Sequence, residues 1–147
     1  MGKPMRKGNH TTTRLTCHIV WVTKYRYHVL KGDIQKRCRE LVIQVCDVEE
    51  VEILKGVVSK DHVHIHIEYP PRTSISQLVK RMKGRTSRIL QKEFPTLKNR
   101  YWGPECFREA TGYGAWSTGN ITDEMVEAYL EHHRSKEDND DSDFILE

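Results

Sequence analysis

Residues 61–68 read Asp-His-Val-His-Ile-His-Ile-Glu, and from His62 to Ile67 an imidazole alternates with an aliphatic side chain. In a β-strand successive side chains project to opposite faces. His62, His64 and His66 therefore share one face, and Val63, Ile65 and Ile67 share the other. The aliphatic face can pack on helices as ordinary core. The imidazole face is costly to bury without polar partners, and two neutral imidazoles two residues apart on one strand can hold one divalent metal. A second set lies far downstream. Tyr129 and His133 are four residues apart, which puts them on one face of a helix. A free phenol, with a pKa of about 10, is a poor nucleophile at neutral pH. A metal on a phosphate oxygen offsets this by drawing charge from phosphorus and stabilising the leaving oxygen. If the tyrosine helix docks on the histidine face, the phenol can attack a phosphodiester and retain one strand end as a phosphotyrosine ester. That ester keeps the bond energy, so rejoining needs no ATP.

The elements that must position these groups follow from periodicity. Arg14–Thr23 reads as a strand, with Leu15, Cys17, Ile19 and Trp21 on one face and Thr16, His18, Val20 and Val22 on the other. Ile34, Cys38, Leu41, Val42, Val45 and Cys46 recur at helical spacing, so a helix is expected from Asp33, its N-cap, to about Cys46. Val48–Val58 reads as a second strand, and Ser59-Lys60-Asp61 as the hairpin turn into the histidine strand, which Pro70-Pro71 ends. Ser74 to about Phe94 reads as a second long helix, with Ser74 and Gln77 as a possible capping box. Gly112–Gly119 reads as a fourth, glycine-weakened strand, and Asn120 or Thr122 can cap a last helix running to about Ser135. The order strand, helix, strand, strand, helix, strand is the α+β, ferredoxin-like or RRM-like split βαβ arrangement. It predicts an antiparallel sheet with two helices on one face and a C-terminal, tyrosine-bearing helix available to the other.

Charge points to a polyanion. The 147 residues include 24 Lys and Arg and 21 Asp and Glu, but six of the acids fall in positions 137–147, which hold no base. The body is therefore strongly basic. Lys24-Tyr-Arg-Tyr-His28 interleaves bases with aromatics, as phosphate contact and base stacking require. Within the second helix Lys80, Arg81, Lys83, Arg85 and Arg88 run without a carboxylate among them, and Gly84 can let a backbone come close. Candidate DNA-binding residues are thus Lys24, Arg26, Arg81, Lys83, Arg85 and Arg88. The chain divides into a flexible basic arm (1–13), one domain (14–135) and an acidic, disordered tail (136–147). Cys17, Cys38, Cys46 and Cys106 contain no CxxC pair, which argues against a zinc knuckle. With no signal peptide and no long apolar run, a cytoplasmic protein with free thiols and no membrane partner is expected.

Asp61-His-Val-His64 resembles the HUH motif, histidine–hydrophobic–histidine, of single-strand DNA nucleases. Four further segments, 17–26 (CHIVWVTKYR), 83–88 (KGRTSR), 112–119 (GYGAWSTG) and 129–133 (YLEHH), look like the single-tyrosine HUH transposase (TnpA) family of small insertion sequences. The resemblance covers roughly residues 12–135. It implies an enzyme that cuts and rejoins single-stranded DNA at element ends, recognises imperfect hairpins there, uses Mg²⁺ or Mn²⁺, and leaves a 5′-phosphotyrosine link with a free 3′-hydroxyl. It also implies a homodimer in which the tyrosine helix of one protomer can serve the histidines of the other. Carried over, Tyr129 is the nucleophile, and His62 and His64 are metal ligands. His133 stands where the family often has a glutamine ligand. His66 leaves the pair His64 and His66 open, although the preceding Asp61 favours His62 and His64.

Three other readings compete. A domesticated relative would only nick and join repeat hairpins. A non-catalytic RRM-like binder would stack bases on strand aromatics, where this central strand offers histidines instead. A metallohydrolase using water would not need Tyr129.

Overall fold

The histidine strand lies between two others. The computed structural model describes residues 5–100, 112–117, 128–131 and 143–145, with backbone alone at Tyr25, 98–100 and 143–145. In chain order the elements are β1 (Arg6–Lys7), β2 (Thr12–Thr13), β3 (Leu15–Val22), a 3₁₀ turn (Lys24–Arg26), α1 (Gly32–Val48), β4 (Glu52–Ser59), β5 (His62–Tyr69), α2 (Ile75–Glu93), α3 (Pro95–Arg100), β6 (Gly114–Ser117) and β7 (Asp143–Ile145). Residues 128–131 are helical. The main sheet is antiparallel throughout, in the order β6-β3-β5-β4-β7. Its β6-β3-β5-β4 core is the split βαβ order expected from the sequence.

Alternation on β5 sorts the sheet into two faces. Val63, Ile65 and Ile67 join Ile19 and Trp21 of β3, Leu41 and Val42 of α1, and Leu78, Val79 and Met82 of α2 in one core. All ten are at most 1% exposed. This is the dominant stabilising element, since fully burying each such side chain contributes about 1.5–3 kcal/mol. Cys17, Cys38 and Cys46 are buried free thiols and pack as small apolar groups. Antiparallel partners project to the same face, and the register pairs Val22 with His62, Val20 with His64 and His18 with His66. Across β3 and β5 the other face therefore carries four histidines and two valines.

Local signals set most of the element ends. Ser74 caps α2 by accepting a hydrogen bond from the Gln77 N–H at 3.4 Å. For α1 the expected cap moves: Lys31 occupies the N-cap without a side-chain bond, while Asp33 lies in the first turn, where its charge still suits the helix dipole. The following strand starts later than Val48, because α1 runs through Val48. The chain reverses at Glu50, with φ +57°, and the Val51 N–H donates to the Cys46 carbonyl at 2.8 Å. Gly84 also departs from expectation. A Cβ there would meet nothing within 4 Å, so no backbone approach explains it. No helix among the described residues is long and apolar enough to cross a membrane.

Strand pairing is present in the described residues of both chain ends. β1 and β2 pair as a small ribbon. Arg6 forks onto the Glu68 carboxylate at 2.6 and 3.0 Å and donates to the Glu50 carbonyl at 2.9 Å. Glu68 is 5% exposed and needs a cation there, which holds the arm down. Arg6→Ala is expected to lower unfolding stability by about 1–3 kcal/mol, measured by urea denaturation. A loss below a few tenths would mean that the arm is not anchored. Within the tail, Asp143–Ile145 pairs along β4. The apolar residues after the acidic run suit a strand, and β4 offers an edge to pair with.

Candidate active site

The site is built on the tip and inner face of the β4–β5 hairpin. Its two-residue turn, Lys60-Asp61, is buried. The segment after β3 grips this turn: Thr23 N–H donates to the Asp61 carbonyl at 2.9 Å and Leu30 N–H to the Lys60 carbonyl at 2.8 Å. The Asp61 carboxylate then has several partners. One oxygen meets His62 Nδ1 at 2.8 Å. The other accepts from Arg26 Nε at 2.7 Å, with His28 Nε2 at 3.9 Å. Burial raises the Asp61 pKa, but the hydrogen bond and charge of His62, together with Arg26, outweigh it and hold the carboxyl below its ordinary value. An ionised carboxylate only accepts, so His62 donates from Nδ1, and in the neutral ring this tautomer turns the Nε2 lone pair to a ligand.

The other histidines form a packed row. His18 Nδ1 lies 3.2 Å from His64 Nε2, and the His18 ring stacks on His66 with centroids 4.0 Å apart and planes 5° from parallel. Burial, then the neighbouring His66 and His64, lower the His18 pKa to about 4. Burial, then Arg14, also lowers that of His66. His18 and His66 are thus held neutral at physiological pH, the state in which an imidazole can ligate a metal. His18 is a site residue that sequence reasoning misses. Its parity with Val20 and Val22 is visible in the chain, but its place opposite His66 depends on strand register.

Tyr129 comes to the same side of the sheet. Val20 and Val22, the cross-strand partners of His64 and His62, pack with Leu130, Tyr129 and Trp116. Neighbouring strands are about 4.8 Å apart, so the tyrosine segment covers the strand next to the histidines. Trp116 meets Tyr129 edge to face, with centroids 6.1 Å apart and planes at 89°. Burial pushes the Tyr129 phenol up to about 12, so it keeps its proton at neutral pH. The close approach rests on Gly114, where a Cβ would lie 2.6 Å from Trp116 and 3.1 Å from Tyr129. Gly114→Ala must push the aromatic pair aside. Since about 1 Å of misplacement can cost about 10²-fold in rate, strand cleavage is expected to fall by that order while hairpin binding holds. Unchanged cleavage would show that the ring position is not critical.

His133 lies outside the described residues. Among the described residues no group of three or more His, Cys, Asp or Glu side chains is arranged to hold an ion. His62 and His64 supply two nitrogen donors, one of them oriented by a carboxylate, and this donor set fits a divalent metal completed by further ligands.

The basic candidates separate. Arg26, expected at a phosphate, has a side chain that is 11% exposed and bonded to Asp61 and to the Leu130 carbonyl at 2.8 Å. Lys24 stands half-buried in the 3₁₀ turn. Lys83 donates to the Gly112 carbonyl at 2.9 Å. Arg81, Arg85 and Arg88, with Lys80 and Gly84, follow one helical stripe. They line a groove of about 1000 Å³ between α1 and α2, on the side of the sheet away from the histidines. There Arg81 pairs with Glu49 and Arg85 with Gln44.

Residues 11–133 match the family described as IS200-like transposase. The chain belongs to that family. A relative of this IS200-like transposase, the ISDra2 transposase TnpA of Deinococcus radiodurans, is 27% identical over 133 residues, covering 90% of this chain and 94% of the relative. A crystal structure of a transposase from the same organism superposes with a TM-score of 0.81 at 26% identity, covering 89% of this chain and 99% of that one. A REP-associated tyrosine transposase bound to a REP hairpin shares the fold, with a TM-score of 0.53 at 15% identity over 87% of this chain and 68% of that one. The IS200-like family assignment makes this chain a transposase acting on DNA, with the HUH fold.

Proposed function

We propose that this transposase cuts and rejoins single-stranded DNA at element ends, with Tyr129 as nucleophile and His62 and His64 as the ligands of a divalent metal. The observation that carries the reading is the shared face: the valines packed with the Tyr129 segment are the register partners of His62 and His64. Bound there, Mg²⁺ or Mn²⁺ would supply charge withdrawal from a phosphate oxygen, and His133 is a candidate further ligand. The Tyr129 oxygen attacks phosphorus as its proton is lost, the P–O3′ bond breaks, and the departing 3′ oxygen takes up a proton to become the free 3′-hydroxyl. The 5′-phosphate remains on the tyrosine, and attack by another 3′-hydroxyl reverses the step on a new strand end. Asp61 fixes the tautomer of His62 throughout. Imperfect hairpins at element ends are the proposed recognition element and a homodimer the proposed assembly.

Similarity to an insertion-sequence transposase over 90% of this chain and 94% of that relative favours a mobile element over the domesticated nickase. Incubating the protein with an end-labelled, single-stranded hairpin oligonucleotide and Mn²⁺, then resolving it under denaturing conditions, tests the reading. A labelled protein band is expected; free cleaved DNA without that band supports the water-using hydrolase, and binding without cleavage supports the RRM-like binder.

Lys24, Lys83 and the stripe Arg81, Arg85 and Arg88 are proposed to meet hairpin phosphates. Neutralising the three stripe arginines should flatten the salt dependence of hairpin binding by about one unit of slope for each phosphate no longer neutralised. An unchanged slope in a fluorescence-anisotropy titration removes the groove from the DNA interface.

A further inference from the structure

Arg26 stands in a strained position that the reaction described above does not use. Its φ is +55°, a left-handed conformation costing an L-residue about 1–2 kcal/mol. The turn holds it there: Arg26 N–H donates to the Thr23 carbonyl at 2.8 Å, and Thr23 Oγ1 donates to the Tyr27 carbonyl at 2.8 Å. So placed, the guanidinium reaches two ways. Nε donates to Asp61 Oδ2 at 2.7 Å, and Nη1 donates to the Leu130 carbonyl at 2.8 Å. The remaining oxygen of Asp61 meets His62 Nδ1 at 2.8 Å. A continuous path therefore runs from the His62 ring through Asp61 and Arg26 to the backbone of the residue that follows Tyr129.

We propose that Arg26 is a positioning residue that clamps the tyrosine segment to the His62–Asp61 pair of its own chain, setting the relative geometry of nucleophile and histidines whenever the segment is docked there. Arginine suits this because its planar fork presents several donors in fixed directions, whereas a lysine ammonium offers a point charge on a flexible stem. Both side chains of the ion pair are about nine-tenths buried, which shields the bonds from water. The carbonyl it holds belongs to the backbone, so the clamp fixes the path of the 128–131 helix whatever side chain follows. Its catalytic consequence rests on the function proposed above; its structural consequence does not.

The test is Arg26→Lys in the full chain, which keeps the charge but loses the fork. Amide hydrogen exchange within 128–131 is expected to speed up about tenfold, the effect of losing one charge-assisted hydrogen bond, while exchange in β5 stays as in the wild type. Adduct formation at saturating hairpin should slow by a similar factor, with hairpin affinity within about twofold. Unchanged exchange at 128–131 overturns the clamp. Hairpin affinity falling in step with adduct formation also overturns it, and returns Arg26 to phosphate contact. If Arg26→Lys does not fold, Asp61→Asn releases the same link from its other end, and unaltered exchange at 128–131 in that variant sinks the proposal. A wild-type protein that forms no adduct refutes the proposed function while the exchange comparison still decides the clamp.

Discussion

Replacing Tyr129 by phenylalanine is expected to abolish the covalent protein–DNA band while leaving hairpin affinity and folding intact. The substitution removes one oxygen and keeps the ring that packs edge-on against Trp116 and over Val20 and Val22. Core packing is therefore preserved, and the half-buried phenol, whose pKa lies near 12, loses a group that is neutral in the resting protein. Without that oxygen no ester can form, so the drop should reach at least about 10³-fold, the scale on which a missing nucleophile registers. The measurement is the denaturing gel with a labelled hairpin oligonucleotide, run beside an anisotropy titration. A Tyr129→Phe protein that still cleaves at more than a few per cent of the wild-type rate would assign the attack to water.

The second large effect concerns the imidazoles. His62→Ala or His64→Ala should weaken Mn²⁺ binding by at least about 100-fold, since even outer-shell partners of a ligand are worth about 10–100-fold. Cleavage should fall with it, and hairpin binding should not. His66→Ala is the control. That ring lies flat on His18, so Mn²⁺ affinity should change little. Equal losses at His62 and His66, read by electron paramagnetic resonance titration of Mn²⁺, would move the ligand pair to His64 and His66. Acid should act on the same row through stability. Folded His18 takes up its proton only near pH 4, against an ordinary value of 6.5. Between those values the unfolded chain binds the extra proton, so folding stability falls as pH drops through that window and is unaffected by this group above it. Urea denaturation at pH 7 and pH 5 checks the sign.

How much of this is legible in the chain depends on whether the cause is local. The β5 alternation announces both faces, because a period of two is a property of the strand alone. The stripes of α1 and α2 are equally plain, and Ser74 marks its helix end. The weak glycine strand is found at Gly114–Ser117 because β3 supplies its partner. Failures come where a distant residue decides. Val48 looks like the start of a strand, yet the helix holds it until the reversal at Glu50. Arg26 sits among bases and aromatics and reads as a DNA contact; only the fold brings Asp61 and Leu130 to it. The basic run on α2 reads as one patch, whereas helical geometry turns Lys83 toward Gly112 and away from the other four. The contacts of Arg6 with Glu68 and of Asp143–Ile145 with the edge of β4 go unseen because those partners are far away in sequence.

Threading the apolar core and the imidazole row along one strand constrains sequence drift. A change at Val63, Ile65 or Ile67 that shortens or lengthens its side chain shifts the backbone which spaces the histidines on the reverse side. Mutational scans of these three sites should therefore turn up few variants that lose turnover while melting normally, or melt early while turning over at full rate. Homologues adapting to heat or cold are expected to make their adjustments in the helical layer and leave this segment alone.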